Sequence, residues 1–479
     1  MADTTRVAND TGRRLSVVEK AGYGVGDMAA NFIFQTMVMF QLAFYTDAFG
    51  ITAAAAGTLL VVVRFWDAIF DPIMGVVADR TNTRWGKFRP WVLWTAVPFG
   101  VMGFLAFVTP DLGPSGKLAY AYLTYIGLMM VYSANNLPYS ALSGVMTGDL
   151  AERTSLSSYR FVFAMLAQLI IQGLALPMVH YFGQGDSAKG YQYTIGIFSA
   201  FAVLLFLVTF ATTRERIQPP PNQTASVGQH FADLLGNRPW LVMFVLTLVL
   251  FITLAMRGSV VPYYFNYYAD KARLASLLGA FGVTAADEGT VVSIAFSVFN
   301  VLGTIATIVA IFFSKSVSVR YGKRNVFITG LVGTVVFTGA FYVIPPTAAP
   351  AMFACEILRQ FAYGFTIPLL WAMMADVADF SEWKTGRRAT AIVFSAIVFA
   401  LKAGLGFGGA ITGYVLSAYG YVPNVAQASP ALDGIRNTMS IFPAFTFAVC
   451  AGVMLFYEID KRTEIQMTNE LAERREGYA

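Results

Sequence analysis

The sequence predicts an all-α membrane protein, with twelve transmembrane helices arranged as two six-helix halves. Three observations predict it. The 479 residues are 56% hydrophobic and only 13% charged, with a mean hydropathy of +0.59, whereas a soluble domain carries about 25% charged residues. The apolar residues fall into twelve segments, each near the ~20 residues that a helix needs to cross hydrocarbon. Lysine and arginine gather in alternate gaps between those segments, the charge asymmetry of a multi-pass protein.

In order, the segments are 23–46, 52–78, 90–109, 118–146, 157–180, 191–213, 239–268, 290–313, 326–345, 351–375, 388–417 and 438–458. Residues 1–22 carry Arg6, Arg13 and Arg14 and have no apolar core followed by a cleavage site, so they read as a cytoplasmic N-terminal tail. The even-numbered gaps hold Arg80, Arg84, Lys87, Arg89, Arg153, Arg214, Arg216, Arg238, Lys315, Arg320, Lys323, Arg324, Lys384, Arg387 and Arg388. Positive charge stays on the cytoplasmic side, which puts both termini there. Residues 214–238 contain Pro219-Pro220-Pro221 and a polar run, a linker between a six-helix domain at 23–213 and another at 239–458. Residues 225–235 within it are expected to form a short surface helix, and 459–479 a cytoplasmic C-terminal tail. Arg84-Trp85-Gly86-Lys87 recurs as Arg320-Tyr321-Gly322-Lys323, at the same place in the second half.

Several function classes are excluded by composition. Basic residues sit in short runs between apolar segments, so no nucleic-acid surface forms. Cys355 and Cys450 are the only cysteines and both lie in apolar segments, which leaves no disulfide framework or metal cluster. No phosphate loop, zinc spacing or serine elbow is present, so the chain is expected to be no enzyme, to need no cofactor, and to draw its energy from an ion gradient.

The chemistry concentrates on polar residues at membrane depth, where ionised groups are costly and usually face a cavity. In the second segment Arg64, Asp67 and Asp71 are spaced i, i+3, i+7, one stripe of a helix. Two carboxylates there oppose one guanidinium, and the surplus negative charge needs a cation, a proton or a distant lysine. Lys402, among apolar neighbours in the eleventh segment, is the expected counter-charge. Asp27, Asn31 and Gln35 form a second stripe in the first segment; Ser133, Asn135, Asn136 and Tyr139 cluster around Pro138 in the fourth. With Arg160, Trp371 and Lys402 these residues supply the amides, carboxylates, forks and aromatic faces that suit a polyhydroxylated ligand. Asp79, Arg80, Arg84 and Lys87 make a charged turn after the second segment, which reads as a gate holding one conformation closed or as a topology signal. Asp376 and Asp379 end the tenth segment and read as an inter-helix charge network, or as a solvated loop beside Arg387 and Arg388. Glu356 and Arg359, i and i+3, are expected to neutralise each other, while Arg257 faces either the ligand or an acid elsewhere.

Two six-span halves joined by a long loop resemble major facilitator transporters, and the run from Gly75 to Lys87 resembles their gating motif. More narrowly, Trp66-Asp67-x-x-x-Asp71-Pro72-x-x-Gly75, Arg84-Trp85-Gly86-Lys87-Phe88-Arg89-Pro90-Trp91, Asp376-x-x-Asp379-Phe380-x-Glu382 and Gly420-Tyr421-Val422-Pro423-Asn424 resemble the glycoside–pentoside–hexuronide:cation symporter family. The resemblance implies a cation site on Asp67 and Asp71, with Ser133 as a hydroxyl ligand and Lys402 interacting with the acids. It implies a sugar-site role for Arg160. The chain departs from the best-known pattern by carrying Asn31 and Asn136 where acids stand, Ser140 for a tryptophan and Phe70 for an asparagine. Fewer oxygen ligands remain for sodium, a metal that Asp67 and Asp71 would have to hold, so the coupling ion H+ is expected ahead of Na+.

These readings converge on a sugar or glycoside importer in the bacterial inner membrane, working as a monomer with a monovalent cation, its fold solvated by the lipid bilayer. Two rivals are weighed beside it. The amide-rich first and fourth segments disfavour a carrier of an amphiphile such as a lysolipid. Tails of about 20 residues disfavour a non-transporting sugar sensor, which needs a signalling domain.

Overall fold

The computed structural model describes residues 14–147, 150–216, 236–285, 287–385 and 390–476. Among them the backbone is helical or in turns, and the one β-bridge joins Thr83 to Gly86. The linker stretch 217–235, with its expected surface helix, and Arg387 and Arg388 lie outside the described residues. The chain divides into two compact units, Met1–Gln223 and Thr224–Ala479.

Unit 1 holds α1 (Val17–Ala43), α2 (Ala53–Arg80), α3 (Arg89–Leu105), α4 (Pro114–Met146), α5 (Leu150–Gly183) and α6 (Ser187–Thr212). Each start has a local cause. At α1, Ser16 accepts from the Glu19 amide at 3.2 Å while Glu19 accepts from the Ser16 amide at 3.1 Å, which satisfies two otherwise orphaned donors. Thr52 and Asp186 cap α2 and α6 with one side-chain acceptor each. α1 runs on into a π turn, Phe44–Phe49, and stops where Gly50 takes φ +85°, a conformation that glycine adopts without steric cost. α1 lies along α5 and α6, α2 along α4, and α3 along α4 and α6.

Unit 2 holds α7 (Arg238–Tyr263, continued by a π turn Tyr264–Tyr268), α8 (Lys271–Ala280), α9 (Glu288–Tyr321), α10 (Lys323–Ala340), α11 (Ala349–Gly364), α12 (Thr366–Thr385), α13 (Thr390–Ala418), α14 (Ser429–Met439), α15 (Ile441–Met454) and α16 (Lys461–Glu476). α7 lies along α13 and α15, α9 along α11, and α10 along α11 and α15. The first three long helices of each unit therefore choose partners in the same order, as the repeated Arg-aromatic-Gly-Lys run suggests.

Two expected segments are broken helices. The tenth breaks between α11 and α12: a Cβ at Gly364 would stand 2.7 Å from the Thr307 carbonyl, so α9 and α11 approach too closely for any side chain. Pro368, in the first turn of α12, cannot continue a ladder from behind. The Phe365 carbonyl at the break accepts from Ser314 Oγ at 3.0 Å. The twelfth begins earlier than the expected 438, at Ser429, and breaks at Ser440 between α14 and α15.

Among the described residues, nine helical stretches are long and apolar enough to cross a membrane, including α1, α2, α5, α6, α7 and α9 with their extensions. The other three expected segments are helical as well: α3 is short, at 17 residues, while α4 and α10 carry more polar residues. Phe65, Ile69 and Ile73 of α2 are more than half exposed, whereas Asp67 is buried. An apolar outer face over a polar inner one is the reverse of a soluble helix and fits acyl chains as the solvent. The loop at 269–289 is built around α8, whose Leu274 and Leu278 are buried. The C-terminal tail is helical too, and α16 seats Met467 and Leu471 in the apolar core of unit 2.

Candidate functional site

α2 brings its charge stripe to one place because residues three and seven apart share a helix face. Asp67 is only 3% exposed. Its carboxylate accepts from Ser133 Oγ of α4 at 2.9 Å, and Arg64 Nη1 stands 3.7 Å from its other oxygen. Asp71 follows one turn later, half-buried. Pro72 has no N–H, so the Ala68 carbonyl between the two acids loses its usual helical donor and adds an oxygen to the neighbourhood. The arrangement holds a buried anion with one hydroxyl donor and one guanidinium, a group suited to bind a proton or a small cation. No set of three or more metal-binding side chains is assembled among the described residues.

A second cluster lies on α1, α4 and α5. Arg160 Nη2 donates to Asp27 Oδ1 at 3.2 Å, with both side chains still partly exposed. The guanidinium rests over Tyr139 and Tyr23, at 5.1 and 5.7 Å from their ring centres. Those rings stack at 4.8 Å, and each hydroxyl donates to the other residue's carbonyl. The rings thus form a fixed apolar floor that holds the Arg160–Asp27 pair in place. Asn31 spends an amide proton on the Asp27 carbonyl at 2.8 Å and accepts from Gln35 at 3.4 Å. Of the expected stripe, Asn135 is turned to a structural use: its amide donates to Thr95 Oγ1 of α3 at 2.8 Å, inside the helix packing. Asn136 beside it is half-buried. Trp371 and Lys402 belong to unit 2, half-buried on α12 and α13, with Trp371 against its apolar core.

The expected gating residues are placed by contacts that spacing does not show. The α2–α3 turn is pinned by Glu215, just beyond α6, whose carboxylate accepts from the amides of Lys87 at 2.8 Å and of Phe88 and Arg89 at 2.7 Å. Gly86 at φ +113° makes that nest possible, and the first amides of α3 attract an anion. Arg84 covers Trp85, and Arg80 is exposed; the Asp79 side chain lies outside the described residues. In unit 2, Lys323 donates to both oxygens of Asp376 at 2.7 Å and pairs with Glu464 of α16 at 3.1 Å. Asp379 is half-buried one turn on.

The Glu356–Arg359 pair is joined by a third member. Arg359 donates to Glu356 at 2.6 and 2.9 Å, and Arg257 Nη2 reaches the same carboxylate at 2.7 Å from α7. The i, i+3 spacing made the first pair legible; the second spans 99 positions and left no local signal.

A family model described as MFS/sugar transport protein matches residues 22–296 and 291–461. The chain is 36% identical to the inner membrane symporter YicJ of Escherichia coli strain K12, over 91% of this chain and 90% of that one. It is 34% identical to the putative glycoside/cation symporter YagG of the same strain, covering 95% and 94% of the two chains. With the isoprimeverose transporter of Lactiplantibacillus pentosus it shares 34% identity over 92% and 89%. In fold it is similar to a mutant of the nucleoside transporter NupG, with a TM-score of 0.62 at 14% identity over 92% and 100% of the chains. It is also similar to a D-xylose-proton symporter, with a TM-score of 0.57 at 13% identity over 92% and 96%.

Proposed function

Because this chain belongs to the MFS/sugar transport family, we propose that it imports a glycoside or related sugar together with a cation, by alternating access. Relatives named for glycoside/cation symport and for isoprimeverose support the substrate class. The observation that carries the coupling role is Asp67, a buried carboxylate held by Ser133 at 2.9 Å and Arg64 at 3.7 Å. An ionised acid resists enclosure in a low dielectric, and a bound cation removes that penalty, so the carrier with sugar aboard can reorient with the cation but not without it.

Asp67 and Asp71 then take the cation, with Ser133 as the neutral ligand and Asn136 nearby in sequence. The proton is the favoured ion: it needs one carboxylate, whereas sodium needs several oxygens. Arg160 and Asp27, on their tyrosine floor, present a fork and a carboxylate to sugar hydroxyls. Asn31 and Gln35 extend that surface within unit 1, while in unit 2 Trp371 is assigned to sugar binding and Lys402 to counter-charge in the cycle. Arg84, Lys87, Asp376 and Asp379 act at the gate. The same reading takes twelve spans, both termini in the cytoplasm, the bacterial inner membrane, and a monomer as the working unit.

Asp67→Asn in proteoliposomes is the test. Accumulation of sugar against its gradient is expected to fall to background, while counterflow exchange persists. A variant that concentrates sugar normally would end the coupling assignment. At fixed pH, uptake that rises when sodium is added would overturn the choice of proton.

A further inference from the structure

The ionisable side chains inside the spans do not sum to zero. Apart from the terminal residues Arg388 and Glu458, Arg64, Arg160, Arg257, Arg359 and Lys402 stand against Asp27, Asp67, Asp71 and Glu356, which leaves one positive charge in excess. Within unit 2 the imbalance is local. Arg257, Glu356 and Arg359 are 5, 1 and 3% exposed, and two guanidiniums share one carboxylate. A guanidinium does not shed its proton, so the surplus cannot be relieved by titration. Uncompensated charge at that depth calls for a counter-ion.

The remaining donors indicate what kind. The Nη1 and Nη2 edge of Arg257, the fork that suits a carboxylate, is spent on Glu356 at 3.4 and 2.7 Å. Its Nε is buried and has no acceptor among the described residues. Tyr264, seven residues on and so near the same helix face, is fully buried, and its hydroxyl also has no partner among the described residues. Both groups meet the Phe341 ring: the Arg257 guanidinium carbon lies 5.1 Å from its centre, and the Tyr264 ring centre 6.2 Å. One N–H and one O–H suit a monatomic anion, which needs donors and offers no directional fork of its own.

We infer that the triad forms part of a buried site for a small inorganic anion of the halide type, held by Arg257 Nε and the Tyr264 hydroxyl. Its occupant balances the charge left by Glu356. The site lies wholly within unit 2 and does not depend on Asp67 or on the identity of the sugar.

The test uses the full-length protein in detergent, without sugar, at constant ionic strength. Replacing gluconate by chloride is expected to raise Tm by roughly 3 °C, because a ligand that binds only the folded state stabilises it by mass action. Tyr264→Phe keeps the ring and removes one donor; half-maximal stabilisation is expected to need about ten times more chloride. Crystals soaked in bromide should show an anomalous peak beside Arg257. Equal melting in the two anions, an unchanged chloride response in Tyr264→Phe, or a bromide peak only elsewhere each overturns the proposal. Stabilisation by a uronate but not by chloride also overturns it, and would make the triad a carboxylate site for substrate.

Discussion

Two partners of Asp67, one neutral and one charged, differ in consequence. Arg64 stands at 3.7 Å, outside hydrogen-bond reach, and contributes through its field. Ser133 donates directly at 2.9 Å from another helix. A hydrogen bond to an ionised group is worth about 1.5–3 kcal/mol and favours the unprotonated acid, so Ser133→Ala is expected to tighten proton binding about tenfold. Sugar binding measured without the cation should be unchanged, because Arg160 and Asp27 form a separate cluster. Equal loss of both affinities would place Ser133 in general packing. At this scale the sequence was informative along single helices. The Arg64–Asp67–Asp71 stripe and the Glu356–Arg359 pair follow from spacing, because 3.6 residues per turn fixes which side chains share a face. Arg257, Glu215 and the Asn135–Thr95 bond were silent, since each joins positions on different elements.

Turns and helix ends carry the second level of organisation. Three short amide contacts to one carboxylate make Glu215 the anchor of the α2–α3 turn, reinforced by Arg89, which donates to the Phe210 carbonyl at 2.7 and 2.9 Å. Glu215→Ala is expected to free this turn and to speed tryptic cleavage at Arg84 and Lys87 about tenfold or more, read by mass spectrometry. Glu215→Gln, which keeps an acceptor oxygen but no charge, should fall between the two. Unchanged cleavage in Glu215→Ala would show that the turn holds itself. The α16 helix starts in a comparable way: Asp460 accepts from the Thr463 amide at 2.8 Å, which lowers its carboxyl below the ordinary value. A depressed folded value means that this cap is intact near neutral pH and weakens only as pH falls through that value. The broken tenth and twelfth segments were not legible as breaks, because hydropathy averages over a window while Gly364 and Ser440 act at one residue.

At the scale of the molecule, composition and charge distribution were enough to place the chain in a membrane and to divide it in two, since both signals accumulate over hundreds of residues. The choice of partners within each unit was not, apart from one hint. The Arg84–Lys87 and Arg320–Lys323 runs repeat, and each is held by the chain just after its own unit's last long helix. Glu215 does this in unit 1. In unit 2, Lys461 donates to the carbonyls of Val319 and Arg320 at 2.9 and 3.2 Å, and Glu464 pairs with Lys323.

Each unit is thereby tied back upon itself, like a cord knotted to its own earlier loop, by residues of its own helix ends. A polypeptide ending at Arg216 and another beginning at Gly236 should each reach a protease-resistant form when expressed alone in membranes. A shorter first piece ending at Thr212 loses Glu215 and should be degraded. Equal resistance of the two first pieces would show that the knot is dispensable. If the longer piece alone survives, the covalent join between the halves serves delivery of both in one translation product, while the integrity of each half is written within its own ends.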